Sequence, residues 1–242
     1  TVKDNRGLEK VRDLSLTVRK GEILAIAGVD GNGQTELIEA LTGLRKTENG
    51  EILVNGRHIE NGLPLDAHRA GIRTIHEDRH KRGLVLDFQV GENLILESYK
   101  RSRFSGLFRF LSWRKINDYS NNQIDRFDIR PAGCAMQKAK ELSGGNQQKV
   151  IIARTVEQEP DLLLACQPTR GLDVGAIEFV RNALVEQRDQ GRAVLLISYE
   201  LDEVFDLADR INVIYNGQIV ADLLPQETDE QSIGLLMAGG TA

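Results

Sequence analysis

Gly28-Val29-Asp30-Gly31-Asn32-Gly33-Gln34-Thr35 has the spacing of a phosphate-binding loop, G-x-x-x-x-G-K-[ST], except that Gln34 stands where the lysine would. Glycine in such a loop lets the backbone curl, so that its N–H groups face phosphate oxygens at a helix N-terminus. Gly28, Gly31 and Gly33 meet that need. Asp30, Asn32 and Glu36 complete the candidate contacts, and Thr35 offers a hydroxyl to Mg²⁺. Gln34 is a defect. Hydrogen bonds to charged groups contribute ~1.5–3 kcal/mol against ~0.5–1.5 for neutral ones. A triphosphate would therefore bind more weakly here, and its transition state would lose more than its ground state. A second phosphate device lies downstream in Leu142-Ser143-Gly144-Gly145-Asn146, two small glycines and a hydroxyl leading into a helix.

The elements around the loop read as strand, loop, helix. Residues 22–27 form a short apolar run, and Leu37, Ile38 and Leu41 follow with helical spacing that stops at Gly43. Asn55-Gly56 and Asn216-Gly217 sit between strand-like residues and predict tight hairpins. Residues 162–166 and 193–197 are continuous apolar runs, as parallel strands buried on both faces require. Between about 88 and 141 the character changes to basic and polar residues carrying Phe104, Phe108, Phe110, Trp113, Tyr119 and Phe127. That stretch reads as a mostly helical insertion, its aromatics packing a helical subdomain or meeting a membrane partner.

With 242 residues, 40% hydrophobic and 28% charged, the chain has ordinary globular composition and ample length for a core. A net charge of −5 argues against a nucleic-acid partner. No apolar run reaches the length of a membrane span, so membrane association is expected through a partner. Cys134 and Cys166 show neither metal-ligand spacing nor a disulfide framework, which suits a reduced, cytosolic setting. His58, His68 and His80 fit no metal spacing and are expected on solvated loops. The chain opens at Thr1 with no initiator Met and no signal-peptide pattern, which suggests a piece of a longer polypeptide or a trimmed chain.

The phosphate loop and residues 142–146, in this order, resemble the nucleotide-binding domain of ABC transporters, and the resemblance covers nearly the whole chain. It implies an α/β P-loop ABC ATPase fold, with a mostly parallel core sheet, an antiparallel β edge and a helical subdomain. It further implies one domain over 1–242, with the core at 1–87 and 150–242 and the subdomain at about 88–149. ATP and Mg²⁺ are the implied cofactors. Leu142, Ser143, Gly144, Gly145 and Asn146 would be the family signature, and Pro168-Thr169-Arg170-Gly171-Leu172-Asp173 would carry the conserved loop ending in Asp173. Besides Gln34, three family positions depart from the pattern. Cys166 and Gln167 stand where an Asp would organise Mg²⁺ and a Glu would activate water, and Tyr199 stands where a histidine would sense the γ-phosphate. A thiol is a poor ligand for a hard cation, and an amide cannot take a proton from water. Glu77 occupies the coupling-loop place where many relatives carry glutamine, a feature shared with tandem sugar and nucleoside importers. No aromatic precedes Phe88, so an adenine-stacking ring ahead of the loop is absent from this sequence.

In that family two such domains face each other head to tail, each ATP lying between one domain's phosphate loop and the other's signature. The resemblance therefore implies a silent or weak site on this chain's own loop and an intact signature given to a partner half. It also implies transmembrane permease subunits, an extracellular solute-binding protein reached indirectly, and a peripheral position at the cytoplasmic face of the membrane. The closest likeness is to the second half of tandem ATP-binding proteins of sugar or nucleoside importers. An active ATPase with unusual residues and a soluble non-transport member of the family are the competing readings.

Overall fold

The computed structural model describes residues 1–104 and 110–240. In chain order its strands and helices are β1 (Val2–Lys3), β2 (Glu9–Val11), β3 (Ile23–Ala27), α1 (Gln34–Leu41), β4 (Leu53–Val54), β5 (Arg57–His58), α2 (Pro64–Arg69) and β6 (Ile72–Ile75). Next come α3 (Val90–Ile95), α4 (Trp113–Arg126), α5 (Gly144–Val156), β7 (Leu162–Cys166) and α6 (Val174–Asp189). The chain ends with β8 (Ala193–Ser198), α7 (Leu201–Leu207), β9 (Arg210–Tyr215), β10 (Gln218–Leu223) and α8 (Glu230–Met237).

Two compact units emerge. The first comprises Thr1–Thr74, Pro160–Pro168 and Leu184–Ala242, and the second Ile75–Glu159 and Thr169–Ala183. This division differs from the one expected at 87/88 and 149/150: the second unit starts at Ile75, takes in all of α5 and gains the start of α6.

A six-stranded sheet of order β10-β9-β3-β8-β7-β6 organises the first unit. The β3–β8, β3–β9 and β7–β8 pairings are parallel, and β9–β10 is antiparallel at the edge. The apolar runs of β3 and β8 are buried at every residue, because a central parallel strand meets packed side chains on both faces. At the edge, β10 alternates exposed and half-buried residues, the period-two pattern of a strand with one wet face. Leu24, Ile26, Leu37, Leu164, Leu195, Ile197 and Ile214 lie in one buried cluster, so α1 packs with the sheet that precedes it. Both Asn-Gly pairs form hairpins. Asn55 and Gly56 have φ of 51° and 76°, and Asn216 and Gly217 have 48° and 80°, the left-handed pairs of a type I′ turn.

The second unit is helical, with α3, α4 and α5 joined by short 3₁₀ turns. Its aromatics divide. Phe104 is buried edge-on against Tyr119, their centroids 5.0 Å apart, with the Arg103 guanidinium over both rings. Phe127 meets Phe179 at 6.5 Å. Phe110 and Trp113 are exposed, and Phe108 lies outside the described residues. The histidines are not on loops as expected: His58 is on β5, His68 is in α2, and His80 sits in a π-helical turn with Nε2 2.9 Å from Gln147 Oε1. Among the described residues no helix is long and apolar enough to cross a membrane.

Candidate functional site

The phosphate-loop residues belong to the first unit, where three parallel strands bring their carboxyl ends to one edge. Ala27 at the end of β3 is in register with Ser198 at the end of β8, and Cys166 at the end of β7 with Ile197. Residues 28–33, Gln167 and Tyr199 therefore follow directly from neighbouring strand ends, the usual ligand edge of an open parallel sheet.

Gly33 is the N-cap of α1 at φ 101°, and no side chain caps it. The first N–H groups of the helix thus have no intrahelical acceptor and remain for an anion. Glycine is required by crowding at two positions. A Cβ on Gly33 would stand 2.2 Å from the Lys10 carbonyl oxygen, and one on Gly28 would stand 2.5 Å from Ile214 Cγ2. Gly31, by contrast, at φ 87°, faces open space. Asn32 fastens the loop to the β9–β10 hairpin: its Oδ1 accepts from Asn216 N at 2.9 Å and its carbonyl from Gly217 N at 3.1 Å. Its Nδ2 is buried with no hydrogen-bond partner. An uncapped helix start, open space over Gly31 and a spare buried amide N–H together fit a phosphate group.

The side chains at the departing positions do something different. Gln34 is 2% exposed, and its Nε2 donates to the Val29 carbonyl at 3.0 Å, so the amide closes on the loop's own backbone. Cys166 is buried at the end of β7. Gln167 follows in the left-handed region at φ 47°; its N–H donates to the Ile197 carbonyl at 2.8 Å, while Nε2 is buried and unpartnered. Tyr199 donates its hydroxyl to Asp30 Oδ1 at 3.1 Å, a tie between the residue after β8 and the loop that spacing alone did not disclose. Thr35 is exposed on the first turn of α1. Among the described residues no group of three or more His, Cys, Asp or Glu is arranged to hold a metal ion. Gln34, Cys166, Gln167 and Tyr199 offer two amides, a thiol and a phenol, whereas a hard cation such as Mg²⁺ prefers carboxylate oxygens.

Residues 142–146 belong to the second unit. Ser143 is the N-cap of α5, its Oγ accepting from Asn146 N at 3.4 Å and Asn146 Nδ2 at 2.9 Å. Asn146 Oδ1 accepts in turn from Arg130 N at 2.7 Å. Leu142 is buried, anchoring the approach to the helix. Gly145 is small because α6 begins beside it: a Cβ there would lie 2.9 Å from Ala176 Cβ. Asp173 starts α6, its Oδ1 accepting from Ala176 N at 2.9 Å. Glu77 forms an ion pair with Arg170, and Arg79 Nη1 donates to the Arg170 carbonyl at 3.2 Å. The sequence reading missed this Glu77–Arg170 pairing, because opposite charges so far apart along the chain leave no periodic trace. Nearby His76 has its pKa lowered to about 4, chiefly by burial and then by the charges of Arg82 and Arg154, with Glu97 opposing.

A profile of the ABC transporter family matches residues 11–170. The guanosine import ATP-binding protein NupO of Bacillus subtilis (strain 168) is 56% identical over 241 residues, which is 100% of this chain and 47% of that protein. The nucleoside import ATP-binding protein NupA of Lactococcus lactis subsp. cremoris (strain MG1363) is 48% identical over 239 residues, 99% of this chain and 47% of that protein. The chain spans about half the length of these curated relatives. A crystal structure of a nucleotide-free ATP-binding cassette from an ABC transporter superposes with a TM-score of 0.77 at 25% identity, covering 98% of this chain and 92% of that one. With the family profile matched over most of its length and the cassette fold on that sheet, the chain belongs to the ABC transporter family as an ATP-binding domain.

Proposed function

We propose that this chain is the second ATP-binding half of an importer energy-coupling protein, residues 1–242 forming a single nucleotide-binding domain. Its own phosphate loop holds ATP weakly and hydrolyses it little or not at all. Its signature, residues 142–146, completes the active site on the phosphate loop of a partner half. The solutes are nucleosides or sugars, and the guanosine and nucleoside import relatives support the first class. Permease subunits hold the protein at the cytoplasmic face of the membrane, and an extracellular solute-binding protein is reached through them.

One contrast supports this reading most. At the loop, the amide of Gln34 is turned onto the Val29 carbonyl, and the next strand ends in Cys166 and Gln167 instead of carboxylates. At the signature, Ser143 caps a 13-residue helix and both glycines are kept. A generally decaying domain would lose both features, whereas an asymmetric pair needs only the second. The donor set does not fit Mg²⁺, so no step is assigned to the ion on this half. The test is Ser143→Ala in the full-length protein with its membrane subunits. Transport-coupled ATPase activity should fall by about 10²-fold or more, the loss expected for one preorganised donor to a transition-state oxygen. Unchanged activity removes the donated signature from the account.

A further inference from the structure

We propose that Arg79 acts with the signature as a cation supplied in trans, placed against the terminal phosphate of the nucleotide held by the partner half. The proposal rests on the donated-signature reading and assigns a residue to it.

Arg79 opens the π-helical turn Arg79–Gly83, which Asp78 fixes by accepting from His80 N at 3.1 Å and Lys81 N at 3.0 Å. The turn lays the guanidinium over the start of α5. Arg79 Nη2 is 3.1 Å from the place a Cβ on Gly144 would occupy, so the glycine leaves the room that the guanidinium fills. Nη1 is held by the Arg170 carbonyl at 3.2 Å, and Arg170 is in turn held by Glu77. Nε is buried with no hydrogen-bond partner.

Charge bears on this placement. Four arginines of the same unit have acidic partners: Arg126 with Glu157, Arg130 with Asp128, Arg154 with Glu97, and Arg170 with Glu77. Among the described residues no carboxylate pairs with Arg79. It also lies at the N-terminal end of a 13-residue helix, where the helix dipole repels a cation. The nearest negative group to the glycines is Asp173, whose Oδ2 is 3.4 Å from the Cβ position of Gly145 and whose Oδ1 is committed to Ala176 N. That carboxylate would oppose an incoming anion, and Arg79 offsets it. A phosphate arriving at Ser143 would relieve the repulsion between guanidinium and helix end and gain from both positive charges. Arginines supplied across an interface to a transferring phosphoryl group act in this way, stabilising charge without taking part in bond making.

The experiment uses the full-length protein with its membrane subunits and Mg-ATP, measuring kcat, KM and thermal midpoint for Arg79→Ala, Arg79→Lys and Ser143→Ala. The expected result is an approximately 10²-fold fall in kcat for Arg79→Ala, a smaller change in KM, and partial recovery in Arg79→Lys. Its thermal midpoint should hold or rise, because an unpaired cation has left a helix N-terminus. If kcat falls only in Ser143→Ala, the role of Arg79 is overturned and the donated signature stands. If Ser143→Ala has no effect, both ideas fail, whatever Arg79→Ala does. A drop in kcat that comes with a lowered thermal midpoint and no recovery in Arg79→Lys makes Arg79 a packing residue and overturns the proposal.

Discussion

Gln34 donates its amide to the Val29 carbonyl, a neutral bond that any incoming phosphate must compete with. A lysine at that position would instead find its strongest partner in the phosphate itself. Replacing a neutral bond by a charged one is worth about 1–1.5 kcal/mol, so Gln34→Lys should tighten Mg-ATP binding by roughly tenfold in calorimetry. Turnover should stay negligible in that single variant, since Gln167 still cannot take a proton. A second residue carries a pH signature. His76 is neutral in the folded state down to about pH 4, whereas an unfolded histidine protonates near 6.5. Its folded pKa is the lower one, so its contribution is intact above about 6.5 and is lost as pH falls from there towards 4. The loss is about 3 kcal/mol at full extent. Urea midpoints of the native chain should fall across that window, and His76→Gln should flatten the slope. An unchanged slope would show that another group governs it.

At the scale of elements, the β9–β10 hairpin both closes the sheet edge and holds the phosphate loop. Gly217 donates to the Asn32 carbonyl, accepts from Arg12 N, and would place a Cβ 2.2 Å from the Lys10 carbonyl oxygen at φ 80°. Gly217→Ala should therefore cost about 2–3 kcal/mol of stability by urea denaturation, since neither the turn nor β2 can yield without breaking a backbone bond. A loss below 0.5 kcal/mol, no more than an ordinary surface change, would show the hairpin free to shift. Here the sequence was only half legible. Asn216-Gly217 announced a hairpin through local turn chemistry, and the apolar runs of β3, β7 and β8 announced buried parallel strands. That Asn216 also grips Asn32, that Tyr199 reaches Asp30, and that Glu77 holds Arg170 are long-range pairings, set by sheet order and by packing within the second unit. Periodicity carries no information about them. The division into two units follows from contacts across the chain, and the change in composition near residue 88 marks only a local shift.

For the whole molecule, the proposed function turns on asymmetry. Two copies of this chain facing each other would pair an intact signature with a Gln34 loop in both sites, and neither site would contain a lysine, a water-activating carboxylate or a histidine switch. A pair with a complete partner half would contain one competent site and one weak one. The isolated chain should therefore bind Mg-ATP detectably in calorimetry yet show no turnover above background, even at concentrations that favour self-association. Adding the other half of its own polypeptide should restore hydrolysis with about one turnover site per pair, counted by single-turnover phosphate release. The restored activity should need Ser143 of this chain and be indifferent to Gln167→Ala, because the loop that supplies Ser143 is not the loop that follows β7 in the same composite site. Brisk hydrolysis by the isolated chain would mean that some other ionisable group does the work of the missing ones, and the asymmetric account would fall.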